Sequence, residues 1–258
     1  MVDCFLSGHG ECTDKISREH YLSASVMKAI APNGDLKVGG LAWQPSQTMQ
    51  GIGIPSLQSK VLCTSHNSSL SGLDAEANKF VEALIAVDKN PNSLAQTTEF
   101  SGDKLELWLL KVICGTNASG GFRAAPVQNK LKEILVGGVW PPGWGMYAGP
   151  STTPEIFTRD LLVETSVNPT SGEILAAFFR IAGVGFNLLL GKPDNPDYFG
   201  IYRPRGFAFQ TTEHTLRLGL NWRVPTNDKA VVFTRLGTTT DQAPHTFGWK
   251  EQGSEGGA

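Results

Sequence analysis

The first regular pattern along the chain is a stretch in which apolar residues recur every three or four positions. This spacing predicts an amphipathic helix that begins near Leu73 and ends at the sequence KNPNS, residues 89–93. The apolar positions are Leu73, Ala77, Phe80, Val81, Leu84 and Ile85. Similar spacing predicts a second helix at 103–115, ending at Gly115, and a shorter third helix at 126–135. The middle of the chain is therefore predicted to be helical.

The period of the pattern changes after the sequence WPPGWG at 140–145, where two prolines and two glycines interrupt the chain. In the stretch 214–224 every second residue is apolar, which is typical of a strand with one buried face. Further strands are predicted at 174–190, as two buried strands joined by a glycine-containing turn, and at 206–210 and 230–236. Residues 151–250 are therefore predicted to form an antiparallel β-rich domain, and residues 251–258 a flexible tail.

Composition changes this picture mainly by what it excludes. The 258 residues carry a net charge of −2 and give a pI near 6.2, so the chain lacks the basic surface of proteins that coat DNA or RNA. The most membrane-like run, 174–190, is short and contains Arg180 and Asn187, so we expect no membrane span. Residues 1–25 lack the apolar core of an export signal, which favours a reducing, cytoplasmic setting. There, clustered cysteines more often bind a metal than form disulfides.

Three of the four cysteines lie in the turn-rich N-terminal part of the chain, together with several histidines. Cys63 and His66 have the spacing of a zinc knuckle, in which two side chains from one tight turn bind the same ion. Cys4 and Cys12 are the candidates for the other half of the site, although His9 could replace one of them. A segment so poor in apolar residues needs a metal to hold its fold, which favours a structural zinc. The alternative is that these cysteines are small buried hydrophobic residues.

A second polar group is formed by Glu19 and His20. Adjacent side chains of a strand point to opposite faces, but at a strand end they can converge on a cation, with the imidazole taking a proton from water. Asn67 follows the knuckle and precedes the predicted helix, so it could supply a neutral oxygen ligand. This combination suits hydrolysis of a phosphodiester, whereas an isolated Glu-His pair would be an ordinary surface feature. Asp74 and Glu76 are expected to stabilise the N-terminus of the helix through its dipole.

The sequence SREHYLS, followed by LCTSHNSSLSGLDAEA, resembles the HNH, or ββα-metal, endonuclease superfamily. The resemblance covers about residues 1–85, a third of the chain. It implies that His20 is the general base and that Glu19 and Asn67 bind a catalytic Mg²⁺ or Mn²⁺. It also implies a structural zinc held by Cys4, Cys12, Cys63 and His66.

Three features depart from the pattern of this superfamily. Members usually have a proline two or three residues after the histidine, whereas the chain continues from His20 with Tyr21, Leu22 and Ser23. Many members also have an asparagine that orients the histidine, and the nearest candidate by position in this chain is Gln58. The knuckle ends in His66 rather than in a cysteine.

Together these patterns predict an α+β protein. A zinc-stapled ββα-metal module, HNH- or treble-clef-like, is predicted at 1–88, followed by a helical connector at 89–150 and by the antiparallel β-rich domain. The predicted function is metal-dependent cleavage of DNA, because the superfamily acts mostly on DNA. The small net charge suggests that binding relies on a partner, such as a second copy of the chain or a regulatory protein.

Two alternatives stay open on the residues alone. One is a zinc-stabilised module that binds nucleic acid or protein without catalysis. The other is a nuclease effector of a regulated bacterial defence or toxin system.

Overall fold

The computed structural model describes residues 4–13, 15–34, 36–45, 48–89, 97–149, 160–210, 215–224 and 228–234, and the predicted tail at 251–258 lies outside them. The described residues form four α-helices and thirteen strands. The helices are α1 (Ala24–Ile30), α2 (Thr64–Lys89), α3 (Gly102–Ala118) and α4 (Asn129–Gly137). The strands are β1 (Ile16–His20), β2 (Lys37–Gly39), β3 (Met49–Gly51), β4 (Gln58–Cys63), β5 (Thr97–Ser101), β6 (Gly145–Ala148), β7 (Asp160–Val167), β8 (Ile174–Ile181), β9 (Val184–Leu189), β10 (Ile201–Tyr202), β11 (Gly206–Gln210), β12 (Thr215–Asn221) and β13 (Ala230–Thr234).

These strands are arranged in three sheets, and the predicted mixed α+β class is confirmed. β1 and β4 form an antiparallel pair of their own. The seven-stranded sheet has the order β10-β6-β9-β8-β7-β2-β3, and the four-stranded sheet has the order β13-β11-β12-β5. The buried apolar side chains form one cluster, to which all four helices and all three sheets contribute. The helices therefore pack against strands from both halves of the chain.

The pairing of the strands differs from the purely antiparallel arrangement that the sequence predicts. β7, β8 and β9 are antiparallel neighbours, and β8 and β9 are the two strands expected within 174–190. However, β2 pairs in parallel with β7, β5 with β12, and β13 with β11. Parallel partners need a crossover connection, so they can come from distant parts of the sequence. Alternation within a strand carries no information about such a partner.

The helix α2 begins earlier than its apolar pattern predicts, at Thr64 rather than near Leu73. Its first turns bury His66 and Leu70, while the serines between them are exposed. The polar run before Leu73 therefore forms the solvent-exposed face of the first turns of α2. Consequently, Asn67 lies inside the first turn of α2 and not before it.

The helix α3 continues through Gly115, where the sequence predicts its end, and stops at Ala118. A Cβ atom at Gly115 would lie 3.2 Å from the Cβ atom of Tyr21. The glycine therefore allows close packing between α3 and the residues that follow β1, and it is not a terminator. The third predicted helix is α4, displaced by a few residues from 126–135.

A buried ion pair connects α3 to the second half of the chain. The Glu106 side chain is 0% exposed, and its two oxygens accept hydrogen bonds from Arg203, at 2.9 Å from Nε and 2.8 Å from Nη2. The backbone N–H of Met146 donates a third hydrogen bond to Glu106, at 2.7 Å. Gly145 has φ of +124°, and a Cβ atom there would overlap the Glu106 carboxylate. A buried carboxylate is tolerated when it is paired and hydrogen-bonded in this way.

Replacing Arg203 by methionine should lower the free energy of unfolding by about 3–5 kcal/mol, because the buried Glu106 carboxylate loses its counter-charge. Denaturant unfolding followed by tryptophan fluorescence measures this change. Arg205→Met is the matched control, since Arg205 is exposed, and it should change the free energy by less than about 0.5 kcal/mol. Equal effects of the two substitutions would contradict the role of the ion pair.

Candidate metal centre

Four side chains near the N-terminus lie close enough together to hold one metal ion. Their ligand atoms, three thiol sulfurs and one imidazole nitrogen, all lie within 4.8 Å of one another. The residues are Cys4, Cys12, Cys63 and His66, which are the one such group of His, Cys, Asp or Glu found among the described residues. The predicted cluster is therefore confirmed as a group that could bind a metal ion. Three sulfurs and one nitrogen are a donor set compatible with zinc.

His66 is oriented to bind a metal through Nδ1. This atom lies 3.3 Å from the Cys4 sulfur and 3.2 Å from the Cys63 sulfur, near the separation of about 3.5 Å expected around tetrahedral zinc. The other ring nitrogen, Nε2, donates a hydrogen bond to the backbone carbonyl of His9 at 2.9 Å. This bond keeps the ring proton on Nε2 and leaves the Nδ1 lone pair free for a metal. His9 thus contributes its carbonyl, and its side chain does not replace a cysteine.

The local backbone explains how the cluster forms. Cys63 is the last residue of β4 and His66 lies in the first turn of α2, so one strand-to-helix junction presents both side chains. The segment that carries Cys4 folds back onto this junction. The N–H of Phe5 donates to a carbonyl of β4 at 2.9 Å, and Leu6 is fully buried. The N-terminal segment is therefore anchored beside the junction by one backbone hydrogen bond and one buried side chain.

Hydrogen bonds within the cluster determine the protonation of its thiols. Burial alone would raise the pKa of Cys63, but hydrogen bonds to its sulfur lower that pKa to about 5. The donors include the backbone N–H of His66, 3.4 Å away, and the thiol of Cys12. The pKa of Cys12 is raised to about 12, chiefly by its hydrogen bond to Cys63 and then by burial. These hydrogen bonds therefore favour the thiolate at Cys63 and the protonated thiol at Cys12.

Protein prepared with zinc should contain about one zinc ion per chain, and Cys63→Ser should lose most of it and melt at a lower temperature. Elemental analysis and thermal unfolding measure the two effects. Cys114→Ala is the matched control, because Cys114 is buried in α3 and is not a member of the cluster. This control should keep its zinc. Full zinc retention by Cys63→Ser would contradict the proposed ligand set.

His20 lies at the end of β1, opposite Gln58, the first residue of β4. The amide of Gln58 donates to Nε2 of His20 at 3.0 Å, so the nearest candidate for an orienting residue does contact the histidine. Burial lowers the pKa of His20, and the Lys28 ammonium lowers it further. The Glu19 carboxylate and a hydrogen bond to the backbone of Ile54 oppose this shift only in part. This shift favours the neutral imidazole.

The side chain of Glu19 has different partners from that of His20. The ammonium of Lys111 lies 3.2 Å from Oε1 of Glu19 and 2.5 Å from Oδ2 of Asp74. The Lys111 side chain is 3% exposed, so it is a buried cation between two carboxylates. The structure therefore brings Glu19 and Asp74 together through Lys111.

The expected role of two acidic residues at a helix N-terminus is corrected. Because α2 begins at Thr64, Asp74 and Glu76 lie well inside the helix, where the dipole effect has faded. Asp74 pairs with Lys111, and Glu76 accepts a hydrogen bond from the backbone N–H of Ser101 at 2.7 Å. Both carboxylates therefore connect α2 to other elements.

Asn67 lies on the same face of α2 as Asp74, because seven residues span about two helical turns. Its side chain is half-buried. At Asp74 this face contacts Lys111, which in turn contacts Glu19. The face offers an amide and a carboxylate, both of which carry oxygen donors suited to hard divalent cations.

The sequence pattern does not mark Lys111, Ser23 or Trp108 as parts of this region. The hydroxyl of Ser23 donates to Asp74 and accepts a hydrogen bond from Nε1 of Trp108 at 2.7 Å. A signal for Lys111 exists, since it is the one charged residue within the apolar run WLLKVIC at 108–114. A lone charge in such a run requires a buried partner. The run does not show which carboxylates supply the opposite charge for Lys111.

A cleft of about 780 Å³ lies on the seven-stranded sheet, over β7, β8 and β9. Its lining includes Glu164, Asn187 and Phe178 from the sheet and Arg123 from the loop before α4. None of the predicted site residues lines it. The cleft is therefore separate from the metal centre.

Searches of protein-family models, of curated proteins and of solved structures find no match to this chain. Within the part of the chain that the structure describes, no helix is both long enough and apolar enough to cross a membrane. The case for a function therefore rests on the geometry of the metal centre and of the residues around His20.

Proposed function

We propose that the chain is a metal-dependent endonuclease that hydrolyses phosphodiester bonds of DNA. The observation that carries the proposal is the arrangement of β1, β4 and α2. A histidine with a lowered pKa ends β1 and contacts the start of β4, and β4 leads directly into a helix at the Cys/His cluster. This strand, strand and helix order, with a metal cluster at the junction, is what the resemblance to the HNH superfamily implies.

His20 is the proposed general base. Its burial keeps the imidazole neutral, so it can take a proton from the water that attacks phosphorus. Nε2 now accepts a hydrogen bond from Gln58, and this nitrogen must exchange that bond for one from the water before the reaction. Gln58 thus orients the ring in the resting state.

The two donor sets fit two different metals. The three sulfurs and Nδ1 of the cluster suit a structural zinc, whereas Glu19 and Asn67 offer hard oxygen donors suited to Mg²⁺ or Mn²⁺. A divalent cation held by these oxygens would stabilise the negative charge that develops on the leaving oxygen. Asn67 is half-buried and lies on the helix face whose Asp74 shares Lys111 with Glu19, which supports a role for both residues.

The charge distribution supports local rather than extensive contact with DNA. The net charge is −2, but Lys15, Arg18 and Lys60 are exposed on and beside the β1–β4 pair. Such cations can contact backbone phosphates next to His20. The remaining affinity would come from a second copy of the chain or from a protein partner.

The alternatives predict different behaviour. A silent binding module would bind nucleic acid or protein and leave DNA intact, and the cleft on the seven-stranded sheet gives such a module room for a ligand. A regulated effector of a defence or toxin system would cleave DNA only after its inhibitor is removed.

Wild-type protein should relax and linearise plasmid DNA in the presence of Mg²⁺ or Mn²⁺, and His20→Ala should reduce the rate by about 10²–10⁴-fold, because the general base is lost. Asn67→Ala should also reduce cleavage. Asn78→Ala is its matched control, since Asn78 lies on the same helix and its amide bonds only to Glu82, at 2.9 Å, in the hydrogen bonds described for it. Zinc content and melting temperature are measured for every variant.

Equal cleavage by wild type and His20→Ala, with zinc and fold intact, would rule out His20 as the base. Absence of cleavage by well-folded, zinc-loaded wild type would favour the silent binding module. Cleavage that appears only after a co-purified protein is removed would favour the regulated effector.

The pH dependence of cleavage should report the lowered pKa of His20. A base must be unprotonated to act, so the rate should fall as pH drops through the pKa of His20 and should be level above it. Because burial lowers this pKa below 6.5, the fall should be centred below pH 6.5. Rates at saturating Mg²⁺ between pH 5 and 8 measure it. A midpoint above 7 would contradict the assignment.

A further inference from the structure

We propose that Lys111 sets the cation affinity of the Glu19 carboxylate and couples cation binding to binding of the substrate phosphate. This inference rests on the proposed function, because it takes Glu19 as a cation ligand. Lys111 acts through Glu19, so it is a positioning residue and does not touch the substrate.

The relative burial of the three charged groups shows how a cation can approach. The Lys111 side chain is 3% exposed, whereas Glu19 is 14% and Asp74 20% exposed. The ammonium therefore lies beneath the carboxylates, and the carboxylates keep some contact with solvent. A divalent ion reaches Glu19 from the solvent side while Lys111 remains on the protein side.

The surrounding hydrogen bonds hold Lys111 in this position. Asp74, its closer partner, also accepts a hydrogen bond from the hydroxyl of Ser23. The same hydroxyl accepts from Nε1 of Trp108, which lies one turn before Lys111 on α3. Ser23 and Trp108 are both buried. The ammonium cannot withdraw without breaking this chain of bonds, so it stays near an arriving cation.

The charges of this group attract a divalent ion but leave an excess positive charge once the ion is bound. Two carboxylates and one ammonium carry a net charge of −1, and a divalent ion changes the sign of that charge. A phosphodiester adds one negative charge and brings the total to zero. Charges a few ångströms apart in a partly buried site change affinities by roughly tenfold or more. Cation and phosphodiester should therefore each raise the affinity for the other by the same factor.

The test is a titration of Mn²⁺ into full-length, zinc-loaded His20→Ala protein, with free Mn²⁺ measured by electron paramagnetic resonance. Each titration is run with and without a short DNA duplex, which this variant should leave uncut. DNA should raise the Mn²⁺ affinity by roughly tenfold or more. Adding Lys111→Gln keeps a hydrogen-bond donor but removes the charge. It should raise the Mn²⁺ affinity measured without DNA by roughly tenfold, and DNA should then raise that affinity little further.

Two further variants make the result specific to the charge at Lys111. Lys104→Gln, on the exposed side of the same helix, should behave like the parent protein. Asp74→Asn changes the local charge in the opposite direction and should weaken DNA-free binding of Mn²⁺. If Lys111→Gln fails to fold, the Mn²⁺ titration of Asp74→Asn tests the inference in its place. Unchanged Mn²⁺ affinity in the folded charge variants would overturn the inference.

Plasmid cleavage measured in parallel separates this inference from the proposed function. If wild type cleaves DNA but Lys111→Gln needs as much Mn²⁺ as wild type, the role of Lys111 is overturned and the nuclease stands. If wild type neither cleaves DNA nor binds Mn²⁺ with DNA present, the proposed function is overturned and the inference with it.

Discussion

The burial of two charged side chains on α3, Glu106 and Lys111, constrains how the rest of the chain is assembled. An unpaired charge in the interior is strongly destabilising, so each of them must meet an opposite charge. Glu106 pairs with Arg203, from the second half of the chain. Lys111 pairs with Glu19 and Asp74, from β1 and α2. Since the two residues face different parts of the chain, α3 can dock only in an orientation that satisfies both, and it thereby joins the N-terminal site to the β-rich part.

The junction between β4 and α2 supplies two donor sets of different chemistry within one helical turn. Cys63 and His66 face the N-terminal segment and complete a cluster of sulfur and nitrogen donors. Asn67 is rotated about 100° further around the helix and lies on the face that carries Asp74. Soft sulfur donors and hard oxygen donors select different metals. The junction therefore presents soft donors and a hard oxygen donor on different faces although these residues are neighbours in sequence.

The features that the sequence predicts well are those encoded locally. The cluster of Cys4, Cys12, Cys63 and His66 is confirmed, and the alternation along 214–224 matches β12, where Leu216, Leu218 and Leu220 are buried. The start of α2 is missed because its first turns expose serines, which resemble a loop when only apolar positions are counted. The parallel strand partners and the partners of Lys111 are missed for another reason. They depend on contacts between distant parts of the chain, which no local period encodes.

The ion pair between Glu19 and Lys111 joins residues 92 positions apart, and Lys111 lies beyond the stretch that resembles the nuclease superfamily. Recombination that moved the β1–β4 pair and α2 into another protein without α3 would leave Glu19 and Asp74 as an uncompensated pair of negative charges. A unit that keeps this ion pair must therefore include α3, and because Glu106 of α3 pairs with Arg203, it must include the β-rich part as well. In descendants of this chain, a change at Lys111 should be accompanied by a compensating change at Glu19 or Asp74.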